Sequence, residues 1–196
     1  MTATRRTVAT ALLTAGLAGP ALARAAAKGS GYAGATLLIV RHAEKPESGT
    51  GLTPAGEHRA KAYAGYFKHF ELDGSAVHVD AVVAAGDTDK SVRSRLTLEP
   101  FAKASGLPLQ QPFDDKETRA FADWLGQQPG GRVTLIAWHH SQIPNLLAAL
   151  GADPGSLLPG GEWPSSIFSW VVVLRYDATG RLALQRVVHE PDGLET

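Results

Sequence analysis

Apolar residues along the chain follow two alternating rhythms. TLLIV (36–40), DAVVAA (80–85) and RVTLIAW (132–138) are short, nearly continuous apolar runs, the pattern of strands covered on both faces. Between them the spacing becomes helical. Thr53-Pro54 offers an N-cap and a proline for a first turn, and Tyr63, Tyr66, Phe67 and Phe70 then recur at i, i+3, i+4 and i+7. Residues 91–104 predict a helix with Val92, Leu96 and Phe101 inward, bent or divided at Pro100. A further helix is expected from Glu117 to Leu125. Another follows the third strand, with Ile143, Leu146, Leu147 and Leu150 on one face. At the end, IFSWVVVLRY and RLALQRVV flank Asp177-Ala178-Thr179-Gly180 and predict a β-hairpin. Alternating strands and helices with short connections imply a three-layer α/β/α sandwich around a mostly parallel sheet, ending in a C-terminal β-hairpin.

The first two dozen residues break this rhythm. Arg5-Arg6 precedes the weakly apolar TVATALLTAGLAG and then Pro20-Ala21-Leu22-Ala23, the order of a basic n-region, an h-region and an A-x-A cleavage site. The paired arginines resemble a twin-arginine export signal. Residues 1–23 are therefore expected to be a signal peptide of a bacterial protein that is periplasmic or secreted. The run is too short and too rich in Gly and Thr for a stable membrane span. Residues 24–35, small and glycine-rich, are expected to be a flexible leader into a single domain over 36–196.

Of the 196 residues, 19 are basic and 19 acidic, and none is cysteine. The charge balance provides no bulk field for nucleic acid or an anionic membrane, so an anion site would have to be local. Disulfides, thiolate metal sites and a cysteine nucleophile are excluded.

Ligands of such sheets bind at the carboxyl ends of the strands, and polar residues cluster at three such places. Arg41-His42 follows the first strand, pairing an anion clamp with a nucleophile or base. In DKSVRSRLTLEP, Arg93 and Arg95 sit among neutral and apolar residues, with no acid at good helical spacing from Arg93. In WHHSQIP, His139 and His140 follow a buried strand and precede a helix start at Pro144, whose amides favour an anion. Guanidiniums can grip phosphoryl oxygens in pairs. One neutral imidazole can attack phosphorus while a second stabilises the equatorial charge. The convergence predicts a phosphate site.

These segments resemble, in order, the motifs of the histidine phosphatase superfamily with its phosphoglycerate-mutase-like fold. IVRHAEKP is similar to the Arg-His-Gly motif, with Ala43 in the glycine's place. LTPAGEHRA (52–60) is similar to the Leu-Thr-x-x-Gly helix that follows, and SVRSRLTLEPFA to the segment supplying the second arginine. There an arginine lies four residues before a Thr, which selects Arg93 before Thr97. WHHSQIPNLLAAL resembles the segment with the second histidine. Members with Gly-His at this strand end would select His139. Members with Trp-x-His-x-x-Ile-Pro select His140, the preferred assignment.

The resemblance implies a phosphatase acting on a small phosphorylated substrate. His42 would become phosphorylated while Arg41, Arg93 and His140 hold the phosphoryl group, and water would then hydrolyse the phosphohistidine. Aligning LPLQQPFDDKE implies Glu117 as the acid for the leaving oxygen, with Asp114 and Asp115 close by. Glu44 and Lys45 are expected at the pocket rim. No cofactor or metal is implied. The alternatives are a phosphomutase of the same fold and a non-catalytic phospholigand-binding module. A metal-dependent hydrolase would need ligand spacings that this sequence lacks.

Overall fold

The computed structural model describes residues 31–194. The signal-peptide expectation and most of the leader lie outside the described residues. From Gly31 onward the expected flexible leader is instead docked on the domain. The Gly31 N–H donates to the Gly126 carbonyl, the Tyr32 hydroxyl donates to the Ala122 carbonyl at 2.5 Å, and the Tyr32 ring lies 4.8 Å from that of Tyr176. One aromatic residue anchors a segment whose composition otherwise reads as linker.

Strand β1 (Thr36–Arg41) is followed by helix α1 (Pro54–Tyr66), the two-residue strands β2 (Glu71–Leu72) and β3 (Ser75–Ala76), and strand β4 (Ala81–Ala84). Helix α2 (Arg93–Ser105), strand β5 (Leu109–Gln110), helix α3 (Thr118–Gly126) and strand β6 (Val133–Trp138) come next. Helix α4 (Ile143–Ala149), the short helix α5 (Pro154–Leu157) and the hairpin of β7 (Trp170–Tyr176) and β8 (Leu182–His189) complete the fold. The main sheet has the order β5-β4-β6-β1-β7-β8. Pairing is parallel from β5 through β1 and antiparallel at β1/β7 and β7/β8. This is the expected α/β sandwich with its C-terminal hairpin.

The continuous apolar runs divide by alternation, because successive strand residues face opposite sides. Leu37, Ile39, Val83, Ile136 and Trp138 pack with Phe121, Leu125, Leu146 and Leu147 of α3 and α4. Leu38, Val40, Val82, Leu135 and Ala137 pack on the other face with Tyr63, Phe67, Leu98 and Phe101. Both faces are dry, so β1 and β6 are fully committed to the core and their carboxyl ends are rigid.

Two local expectations change. Helix α2 runs unbroken through Pro100. Its missing N–H forfeits the bond to the Leu96 carbonyl, and the buried Leu98, Phe101 and Ala102 on either side hold the helix down. The buried face is also rotated from the one expected. Ser94, Thr97 and Leu98 face inward, whereas Val92 and Leu96 are only half-buried. The Asp73-Gly74 turn, with φ of 54° and 72°, builds the small β2/β3 hairpin, a signal present in the sequence as an Asp-Gly pair.

A buried ionic cluster ties α1 to both ends of the domain. Arg59 donates through Nε and Nη2 to Glu44, at 2.9 and 2.8 Å to Oε1, and through Nη1 to Glu190. The Tyr63 hydroxyl donates to the other Glu190 oxygen at 2.6 Å. Glu44 is thus a structural partner of Arg59 and not a free rim group. Removing one member of a buried pair leaves the other charge uncompensated, which costs about 3–5 kcal/mol. Arg59→Ala is expected to lose about that much in urea unfolding, and a loss below about 1 kcal/mol would mean the cluster contributes little.

Candidate active site

The parallel register sets Arg41 opposite Trp138, and the pairing continues one residue past the strand end, where the His42 N–H donates to the Trp138 carbonyl at 2.9 Å. The next residues on the two chains, His42 and His139, are therefore neighbours by sheet geometry. Their ring centroids are 5.1 Å apart, edge to face, against 6.5 Å for His42 and His140. The expectation that His140 is the pocket histidine is thus not what the geometry favours. Both rings face His42, and His139 is the closer. The repulsion that Arg41 exerts on protonation falls on both rings, but that of Arg93 falls on His139 and not on His140.

Only 2% of His42 is exposed. Its Nδ1 lies 2.8 Å from the Ala43 carbonyl, an acceptor only, so Nδ1 carries the proton and donates. The neutral ring then presents an unprotonated Nε2. Burial pushes the imidazole down to about 3; the Ala43 carbonyl works against this, and His139, Arg41 and Arg93 add to it. Burial likewise lowers His139, with Asp115 opposing and both arginines reinforcing. His140 falls to about 4, first by burial and then through Arg41 and Lys45. These rings are bases with little tendency to hold a second proton.

Arg41 is buried, with one Nη1 giving hydrogen bonds to the carbonyls of Ser165 at 2.6 Å and Ile167 at 3.1 Å. Its guanidinium carbon sits 3.7 Å from the centre of the Phe168 ring, a cation–π contact. The Trp163 indole N–H donates to the same Ile167 carbonyl at 2.9 Å. The segment 163–168 therefore orients Arg41, while Trp163 packs in the core beneath. Burial lowers Arg41 to about 10, Glu44 opposing and Arg93 adding, so it remains a cation at neutral pH.

Arg93 stands at the first turn of α2. Its Nη1 donates to the Gly49 carbonyl at 3.1 Å, and burial lowers its proton affinity. The Nε atoms of Arg41 and Arg93 are buried without a protein partner. Neither arginine is ion-paired to a carboxylate among the described residues. Arg95, by contrast, is held by Asp87 at 2.7 Å and Glu99 at 3.2 Å. The two arginines thus differ in their partners: Arg95 is ion-paired and Arg93 bonds a carbonyl.

Glu117 is not at the site. It is exposed, at the N-cap position of α3, where its side chain makes no cap hydrogen bond; instead its Oε2 accepts from the Asp114 N–H at 2.8 Å. The nearby carboxylate that does reach the pocket is Asp115, with Oδ2 3.7 Å from His139 Nδ1. The buried Trp138 indole fixes this loop by donating to the Asp115 carbonyl at 2.8 Å. A tryptophan at a strand end signals core, and nothing in its position announces that it aims a loop two elements earlier.

The Leu-Thr-x-x-Gly segment also gains a physical reason. Thr53 caps α1 by accepting from the Gly56 N–H at 3.1 Å, and the Thr53 N–H donates to the Glu44 carbonyl. A Cβ on Gly56 would meet that carbonyl oxygen at 2.5 Å. Only glycine lets the first turn of α1 press on the chain leaving His42.

No family model matches the chain, and no curated protein does. Among solved structures its fold is similar to that of the protein histidine phosphatase SixA complexed with tungstate, with 18% identity, 76% of this chain and 95% of that chain covered, and a TM-score of 0.51. It is likewise similar to phosphoglycerate mutase from Plasmodium falciparum, with 15% identity, coverage of 83% and 92%, and a TM-score of 0.50. The chain has the α/β fold of phosphoglycerate mutase.

With His42 held to about 3, the neutral ring is the form present at all pH values well above that. Its ring signals in NMR spectra, identified by their loss in His42→Ala, are expected to stay constant from about pH 8 to about pH 5. A midpoint near the ordinary value of about 6.5 would show the ring to be solvated instead.

Proposed function

We propose that this protein is a phosphatase that hydrolyses phosphomonoesters through a phosphohistidine on His42. The observation that carries the reading is a neutral, tautomerically fixed His42 beside two arginines that pair with no carboxylate among the described residues. A phosphoryl dianion would complete that charge balance.

His42 Nε2 donates its lone pair to phosphorus, and the bond from phosphorus to the ester oxygen breaks. Arg41, Arg93 and His139 hold the equatorial oxygens as their charge grows, the last in preference to His140. Asp115, entering the step as the carboxylic acid, would give its proton to the departing alcohol oxygen and, as the carboxylate, take one from the incoming water. That water attacks the phosphohistidine, releases inorganic phosphate and returns His42 to its starting state. A cleft of about 440 Å³ lined by Lys90, Ser91, Arg93, Asp115, Lys116 and His139 opens beside these groups, a volume suited to a small phosphorylated molecule.

Acid-quench trapping with a labelled phosphate ester is expected to yield acid-labile, base-stable label that is absent from His42→Ala. If wild type turned over no faster than His42→Ala, a non-catalytic phospholigand-binding module would stand instead. Transfer of the label to a second substrate hydroxyl in place of water would indicate a mutase.

Asp115→Asn should slow hydrolysis of an alkyl phosphate by at least about 100-fold. A nitrophenyl phosphate, whose leaving group needs no proton, should be affected far less. Equal losses on both esters would remove Asp115 from the acid's role.

A further inference from the structure

Helix α2 buries a polar residue where the apolar pattern calls for Leu96. Thr97 is fully buried, and both capacities of its hydroxyl are used. Oγ1 accepts from the Ala43 N–H at 2.8 Å and donates to the Arg93 carbonyl at 2.8 Å. Ala43 is itself fully buried, so no water can replace the hydroxyl there. On its other side the same residue offers the carbonyl that fixes the His42 tautomer. One unbroken chain of hydrogen bonds therefore runs from the His42 ring, through Ala43 and the Thr97 hydroxyl, to the main chain of Arg93.

The rest of the surroundings leaves this hydroxyl as the adjustable joint. The chain leaving His42 is pressed from one side by the first turn of α1 at Gly56, and it is hydrogen-bonded to β6 through the His42 N–H. Arg93 is carried on a separate element whose N-cap residue, Val92, makes no side-chain cap. Within α2, the Thr97 hydroxyl is the link that reaches across to the nucleophile's strand end.

We propose that Thr97 is a positioning residue. Its hydroxyl sets the distance between His42 and Arg93 and, by holding the Ala43 N–H, fixes the residue whose carbonyl keeps the proton on His42 Nδ1. This rests on the phosphatase reading for its kinetic consequence, but not for its effect on the His42 ring. Thr97→Val keeps the shape and removes both hydrogen bonds, leaving the Ala43 N–H buried and unpartnered. Ala43 is then held less firmly, so the carbonyl on its far side moves relative to the His42 ring, and Arg93 shifts relative to the attacking nitrogen. Thr97→Ser retains the hydroxyl and Thr97→Cys offers only a weak substitute.

The test is the series Thr, Ser, Cys and Val at position 97, each checked for folding by its thermal transition. Three properties are followed: kcat and KM on one phosphate ester, inhibition by orthovanadate, and the ring ¹⁵N signals of His42. Expected results are near-wild-type behaviour for Ser, and a loss of kcat between about 10-fold and 100-fold for Val. Orthovanadate inhibition should weaken in parallel, and the Nδ1–H signature should be lost or averaged. If Val does not fold, Cys decides, with an intermediate loss expected. The proposal is overturned if Val, or Cys in its place, unfolds at lower temperature yet keeps kcat, KM, orthovanadate inhibition and the ring signals of wild type. It is equally overturned if Ser fails to restore them. Should no phosphate ester be turned over, the phosphatase reading falls, and the ¹⁵N signals still decide the role of Thr97.

Discussion

The site depends on the parallel pairing of β1 with β6 and on its continuation by one hydrogen bond beyond the strand end. Because the His42 N–H meets the Trp138 carbonyl, the two chains leave the sheet in register, with His42 beside His139. Strands buried on both faces cannot tilt or slip without exposing apolar surface or moving a whole side-chain set to the wrong face. His42 is therefore placed by the sheet, and the loops that follow only refine its orientation.

Buried arginines show how the fold treats charge differently in two places. Arg59 is met by the carboxylates of Glu44 and Glu190, as a buried cation requires when it has a structural task. Arg41, equally buried, receives only two carbonyl oxygens and the face of Phe168. Neutral acceptors orient a guanidinium without cancelling its charge. The result is a pocket whose two arginines disfavour protonation of its histidines, with Asp115 as the opposing carboxylate beside His139. Glu44 is close enough to contribute to the field at Arg41, but its oxygens are engaged by Arg59.

The chain between His42 and Glu44 is clamped by neighbours that are distant in sequence. Gly56 permits the approach of α1, Thr53 binds the Glu44 carbonyl, and Thr97 binds the Ala43 N–H. Ala43 is fully buried among them. Thr53 and Thr97 act through polar groups at the start of α1 and in the second turn of α2, and Gly56 acts by having no side chain.

Periodicity alone determined the alternation of buried strands and amphipathic helices, and hence the sandwich and its hairpin. Arg41, His42 and Arg93 were legible too, because ionisable residues directly after a dry strand or at a helix start have few other reasons to be there. The tertiary structure decided what depends on register and on long-range partners. Of the two adjacent histidines the sequence pattern prefers His140, and only the β1/β6 register shows His139 to be nearer to His42. The acidic run 114–117 carries no direction of its own. Trp138, reached through the fold, fixes the loop from which Asp115 reaches His139, while Glu117 is bonded back to the Asp114 N–H. Arg59 and Thr97 were hidden for a related reason. A polar residue reads as exposed until its partner is known, and their partners lie on other elements of the chain.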